Sequence, residues 1–224
     1  MSEGYFRSRF PPDPRRDRLW DHLARFLSAY VPPRARVVEL GAGYCHFINR
    51  VPAARRVAVD LSADLGNWAA PGVEVCCEDA VAHVERIARG SYDFAFASNF
   101  LEHLEWPELE RLVAGVQRVL RPGGLFALIQ PNFRLAPGRY FDDYTHRTIF
   151  TDVSLTDWLA ASGFEMVRVV PRFMPLTVKS RLGAFSFLIP LYLRSPWRPL
   201  AGQMFVLAQR AEKQDPRAVA VAGR

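Results

Sequence analysis

Lysine is almost absent from this 224-residue chain. Lys179 and Lys213 are the only two, so the formal net charge of +6 is carried almost entirely by arginine. Guanidinium groups pair bidentately with phosphate and carboxylate. No basic block with interleaved aromatics and no nucleic-acid motif accompanies the charge, however, so DNA and RNA are not expected partners. Cysteine is scarce too. Cys45, Cys76 and Cys77 form no C-x-x-C pattern and no closed disulfide framework, which fits a reducing compartment. Cys76 and Cys77 lie in an apolar run and are expected to fill the core. There are no repeats and no low-complexity tract. The start, "MSEGYFRSRFPPD", lacks the apolar stretch of a signal peptide. The longest strongly apolar segment, Ala184 to Leu193, is interrupted by Ser186 and Pro190 and falls short of the roughly 20 residues that span a bilayer. A cytoplasmic location is expected.

What remains is enough to build one substantial core, since half of the residues are hydrophobic. The expectation is a single domain over residues 1–210. It carries an N-terminal helical cap over 1–33, an insertion or cap over 174–202 before the last strand, and a flexible tail over 211–224. Asp13-Pro14 reads as an N-cap followed by proline at the first helical position. Leu19, Trp20, Leu23, Phe26, Leu27 and Tyr30 follow at helical spacing. "RVVEL", "RVAVD", "GVEVCC", "YDFAFAS" and "LFALIQ" read as strands. Between them lie a helix beginning near Tyr44, the amphipathic "DAVAHVERIARG" and a helix opened by Pro107. A further helix around Trp158 stops at Gly163, and "FEMVRVVPRF" and "QMFVLAQ" close the series. Strands alternating with helices predict an α/β, Rossmann-like, doubly wound sheet with helices on both faces. Ligands of such sheets bind at the carboxyl ends of the strands.

"ELGAGYC" leaves a strand and enters a helical region, the setting of a glycine-rich nucleotide loop. Gly41 and Gly43 permit a tight turn and close approach of backbone to ligand. Asp60 ends the next strand, placed to accept from both ribose hydroxyls. A dinucleotide site would need a third glycine where His46 stands, and an imidazole there obstructs the pyrophosphate.

Five ordered motifs resemble those of the class I S-adenosylmethionine (SAM)-dependent methyltransferases. They are Glu39-Leu40-Gly41-Ala42-Gly43, Asp60 in "AVDLS", Glu78-Asp79-Ala80, Ser98-Asn99 through "LEHL", and "LRPGG" before strand five. The resemblance covers roughly Val31 to Val170 and the terminal strand. It implies a seven-stranded sheet, mostly parallel with an antiparallel last strand, SAM as cofactor and S-adenosylhomocysteine as product. It also implies that the Gly41, Ala42 and Gly43 backbone lines the methionine portion while Glu39 holds the loop and the ammonium. Asp60 would take the ribose, Leu61 the adenine face, Asp79 the adenine amino group, and the Ala80 amide a ring nitrogen. Ser98 marks the fourth motif. Cys45 departs from the pattern, standing where many members have a third glycine. Asp79 also reads as a helix N-cap.

Methyl transfer mainly requires alignment, and a hydroxyl acceptor also needs a base. The stretch "GRYFDDYTHRTIF", Gly138 to Phe150, concentrates such groups after strand five. His146 is the expected base, oriented by Asp142 or Asp143, with His103 as the rival. Asn132, Arg139, Tyr140, Asp142 and Tyr144 are expected on the acceptor. The Asp-Asp-x-x-His run has metal-ligand character, but no further acidic cluster is near in sequence, so a metal-free site is expected. This stretch, with "TDVSLTDWLAASGF" and the later "RFMPLTVKSRL", resembles a methyltransferase subgroup associated with polysaccharide and glycolipid assembly. That implies a sugar hydroxyl on a saccharide, nucleotide sugar or glycolipid as acceptor. The alternatives are a small natural product or an amine, and a non-catalytic scaffold of the same fold. Residues 185–197, an apolar patch flanked by Arg181, Arg194 and Arg198, read as a pocket cap or a peripheral membrane contact.

Overall fold

The computed structural model describes residues 13–176 and 188–211. Short β-branched and aromatic runs form its centre. Strands β1 (Arg36–Leu40), β2 (Arg55–Asp60) and β4 (Tyr92–Ser98) are buried on both faces, as parallel strands covered by helices must be. With β3 (Val73–Cys77), β5 (Leu120–Pro131), β6 (Phe164–Pro175) and β7 (Ala201–Arg210) they make one seven-stranded sheet in the order β3-β2-β1-β4-β5-β7-β6. The first five strands run parallel, and β7 lies antiparallel between β5 and β6. The chain order reverses between β1 and β4, which opens the crevice where such sheets bind ligands.

Two cores form because side chains alternate along each strand. Phe94 and Phe96 point to one face, under α1 (Pro14–Ser28) and the short α7 (Ile189–Arg194). Ala95 and Ala97 point to the other, under α3 (Ala80–Arg86), α4 (Trp106–Val119) and α6 (Asp152–Ala161). Two further α-helices among the described residues are single turns, α2 (Leu65–Trp68) and α5 (Pro137–Tyr140). Asp13 caps α1 by accepting the Arg15 amide, and Gly163 ends α6 with φ +85°.

Two local expectations change. Tyr44 to Arg50 forms consecutive turns instead of a regular helix, because Gly43 (φ +50°) and Cys45 (φ +56°) both hold left-handed backbone. Cys77 is exposed and Cys76 half-buried, since β3 is the sheet's outer strand with a single neighbour. Of the 185–197 patch and its arginines, residues 185–187 and Arg181 lie outside the described residues. So do 1–12 of the N-terminal cap and 212–224 of the tail.

Candidate active site

The loop after β1 is shaped by backbone first. Gly41 has φ +71°, and a β-carbon there would stand 2.5 Å from Cδ2 of Phe100, at the end of β4. The loop therefore passes against the Phe100 ring so closely that only glycine fits. Cys45 occupies the left-handed conformation that a glycine adopts without cost. Its thiol is buried, and burial raises its pKa to about 12, so it is inert filler there.

Two carboxylates hold this loop. Asp60 Oδ2 accepts the Gly43 amide at 2.9 Å and Oδ1 accepts the Ser62 amide at 2.9 Å. Glu39 is buried, and its Oε2 accepts the Ile48 amide at 2.9 Å. Burial pushes the Glu39 pKa up to about 8, and the nearby Asp60 charge adds to the shift. Leu61 is 58% exposed beside Asp60, leaving an apolar face open at the end of β2. Asp79 accepts the Ala82 amide at 2.9 Å through Oδ1 and so caps α3, with Ala80 buried in the first turn. Ser98 Oγ accepts from Asn99 Nδ2 at 3.1 Å, and Asn99 Oδ1 accepts from Gln203 Nε2 at 2.7 Å. The helix α1 is tied to the same region by Arg50, which donates to Asp21 at 2.7 Å, and by His46, 3.2 Å from Asp17.

The stretch after β5 folds back onto the turn after β4. The amides of Arg147 and Thr148 both donate to the Glu102 carbonyl, at 2.7 and 3.1 Å. Thr148 Oγ1 donates to the Leu104 carbonyl at 2.7 Å. This brings His146 beside His103, ring centroids 5.0 Å apart, although 43 positions separate them. His103 Nδ1 lies 2.9 Å from Thr145 Oγ1, which donates to Asp143 Oδ1 at 2.7 Å. Asp143 thus reaches His103 through Thr145. His146 has Nε2 3.9 Å from Oε1 of Glu102. Burial lowers the His103 pKa to about 4, with His146 adding to the shift.

Glu102 is the residue that sequence reasoning passed over. It is 1% exposed, and burial raises its pKa to about 8. The signal was only its place beside His103 in "LEHL", a position that reads equally as a turn residue.

The other acceptor-side candidates divide by burial. Asn132 is buried, donating to Asp152 and to the Pro171 carbonyl at 2.9 and 3.1 Å and accepting the Arg134 amide. Tyr140 is buried as well. Its hydroxyl donates to the Thr148 carbonyl at 2.6 Å, and its ring packs against His146 at 4.7 Å. Both side chains spend their polar atoms inside the fold and shape the site from behind. Arg139, Asp142 and Tyr144 lie on the surface, with Arg139 Nε 3.8 Å from Asp142 Oδ2.

Similarity searches agree with this architecture. The family model described as "Methyltransferase domain" matches residues 13–169. A curated relative, the malonyl-[acyl-carrier protein] O-methyltransferase of Methylococcus capsulatus, is 32% identical over 158 residues. That match covers 63% of this chain and 56% of the relative, so the chain spans little more than half of the relative's length. Among solved structures, a SAM-dependent methyltransferase from Archaeoglobus fulgidus superposes with a TM-score of 0.66 at 18% identity, over 92% of this chain and 97% of that one. The Burkholderia thailandensis 1,6-didemethyltoxoflavin-N1-methyltransferase, solved with S-adenosylhomocysteine, gives 0.57 at 19% identity, over 87% and 79%. Likeness at these identities concerns the fold.

Proposed function

The chain belongs to the methyltransferase domain family, and from that membership we propose that it binds SAM and methylates an oxygen of a sugar-bearing acceptor. SAM, when bound, supplies a methyl group on a sulfonium, and the breaking carbon–sulfur bond leaves its electron pair on sulfur. The residues at the β1 and β2 ends fit that cofactor. Gly41 and Gly43 offer a loop with no side chain in the way, and buried Glu39 lies beneath the place for an ammonium. Asp60 keeps lone pairs for two ribose hydroxyls beyond the two amides it already holds. Leu61 gives the adenine an apolar face.

The observation that carries the acceptor reading is the cluster of Glu102, His103 and His146. It hangs from the same turn whose Phe100 touches the Gly41 loop, so acceptor and methyl group meet there. His103, kept uncharged by its burial, together with His146 and a buried carboxyl, suits a hydroxyl that must lose its proton. A malonyl carboxylate, the acceptor named for the Methylococcus capsulatus relative, arrives already ionised and has no proton to lose.

The test uses SAM with a labelled methyl group, offered with nucleotide sugars, a polyprenyl-linked saccharide and a malonyl-loaded carrier protein in parallel. Label that enters the sugar fractions and survives mild alkali is a methyl ether, as proposed. Alkali-labile label on the malonyl carrier is a methyl ester and overturns the sugar reading. Binding of SAM with no transfer to any hydroxyl acceptor would favour an amine or a scaffold role.

A contact with an anionic membrane surface completes the proposal. α7 buries Ile189 and Leu193 and exposes Leu191 by 67%, and Trp197 beyond it is 78% exposed. Arg168, Arg172 and Arg198 line the adjoining groove. From Met166 to Ala211 the sequence has seven basic residues and no acidic one, so the chain's whole positive excess lies in this segment. Exposed tryptophan and leucine beside a groove lined by arginines match the interface of an anionic bilayer. No described helix is long and apolar enough to cross a membrane.

A further inference from the structure

Among the described residues the Glu102 carboxylate has one ionisable group within ion-pair distance, His146 Nε2 at 3.9 Å. Among the described residues neither oxygen has a hydrogen-bond partner, and no arginine or lysine pairs with it. A buried carboxyl group in that state carries a large desolvation cost unless it stays protonated or meets a cation. One donor atom each from Glu102, His103 and His146 lies within 4.8 Å of the other two. We propose that Glu102, His103 and His146 bind a divalent transition-metal ion.

The donor set selects the ion. Two imidazoles and one carboxylate suit the Mn²⁺ to Zn²⁺ series, whereas Mg²⁺ and Ca²⁺ favour oxygen ligands throughout. The surroundings of His103 are those of a metal-bound imidazole. Thr145 donates its hydroxyl proton to Asp143 at 2.7 Å, so its oxygen receives the proton from His103 Nδ1 at 2.9 Å. That fixes the tautomer with the lone pair on Nε2, the nitrogen that coordinates. Zinc held at about 2.0–2.2 Å in tetrahedral geometry sets its ligand atoms roughly 3.4 Å apart. Glu102 Oε1 and His146 Nε2, at 3.9 Å, reach that separation by closing about half an ångström.

A second cluster of this kind, Cys76, Glu78 and His83, lacks the capacity. Glu78 is ion-paired with Arg86, and His83 spends both nitrogens, on Glu78 at 2.7 Å and on the Tyr92 hydroxyl at 3.0 Å.

Three protein ligands leave a coordination position open, and an acceptor oxygen placed there loses its proton more readily. The imidazoles then act through the cation and not as bases themselves. This use of the ion rests on the hydroxyl-acceptor reading, whereas binding of the ion does not.

The experiment is calorimetric titration of chelator-stripped full-length protein with Zn²⁺, and separately with Co²⁺, in the absence of SAM. One equivalent should bind with micromolar affinity or better and raise the melting temperature, while millimolar Mg²⁺ leaves both unchanged. Glu102→Gln and His146→Gln should each remove the site, and Thr145→Val should weaken it by 10- to 100-fold. A parallel SAM titration reports whether each variant is folded. No stoichiometric binding by wild type would overturn the proposal, as would affinity unchanged in Glu102→Gln or loss of binding in Cys76→Ser. Stoichiometric metal binding by a protein that ignores SAM would sustain the metal site and remove the methyl-transfer reading instead.

Discussion

The carboxylate of Asp60, at the end of the second strand, holds the amide of Gly43, in the loop after the first, at 2.9 Å. Two neighbouring strand ends are thereby fixed to each other before any ligand arrives, with Ser62 held by the other oxygen. A group that shapes the loop and, in the function proposed above, also holds the ribose cannot be replaced without loss at both tasks.

Asp60→Ala should therefore weaken SAM binding by more than the loss of ribose contacts alone. Hydrogen bonds to charged groups are worth about 1.5–3 kcal/mol, so the dissociation constant should rise by roughly 10- to 100-fold. Asp60→Asn keeps one acceptor oxygen and should fall between. Calorimetric titration of the three proteins ranks them, and equal affinities would remove Asp60 from the cofactor site.

Gly41→Ala should destabilise the protein as well as the site. Its φ of +71° disfavours any β-carbon, and that carbon would meet the Phe100 ring at 2.5 Å. A cost of about 1–3 kcal/mol is expected, seen as a melting temperature several degrees lower. Phe100→Ala in the same chain removes the clash but not the backbone penalty. The double variant should therefore recover part of the loss, and purely additive effects would contradict the contact.

Glu39 gives a pH dependence whose sign follows from its burial. Its folded pKa of about 8 lies above the ordinary carboxyl value of 4.5. The folded state therefore binds the extra proton, and stability falls as pH rises between those values. Over that window the slope from this group approaches about 1.4 kcal/mol per pH unit. Glu39→Gln, which cannot ionise, should gain on the wild type in melting temperature as pH climbs from 5 to 8. A SAM ammonium would favour the ionised form, so SAM binding at pH 7 should release a proton. Calorimetry in buffers of different ionisation enthalpy measures that release, and none should remain in Glu39→Gln.

The arginine groove and the exposed Trp197 predict sedimentation with vesicles containing anionic phospholipid, but not with neutral phosphatidylcholine vesicles. Trp197→Ala and Arg172→Glu should each reduce the bound fraction, and added salt should weaken the interaction. Equal partition to both vesicle types would oppose an electrostatic contact.

Much of the fold was legible in the chain because its cues are local. Strands and helices alternate with clear apolar periods, Asp13-Pro14 opens a helix, and Gly163 stops one. The strand-end residues followed from the same order, since a doubly wound sheet brings the loops after β1, β2 and β4 to one rim. Local cues also misled. The segment after Gly43 has the composition of a helix, yet two left-handed residues in its first turn prevent a regular one.

The acceptor side was a tertiary matter. Sequence alone placed His103 and His146 on that rim, and the acid–base character of the stretch after β5 was evident from its residue types. Which groups meet there depended on the hydrogen bonds from Arg147 and Thr148 to the Glu102 carbonyl. With those bonds made, His146 stands 3.9 Å from a carboxylate 44 positions away, Asp143 reaches His103 by way of Thr145, and the Tyr140 hydroxyl is buried on the Thr148 carbonyl. Hydrophobic period and turn chemistry act over a few residues, so the sequence determined the strands and helices and, through their alternation, a doubly wound sheet with a ligand rim at its strand ends. Long-range backbone pairing and burial decided which polar groups share a pocket, and only the folded chain contains that information.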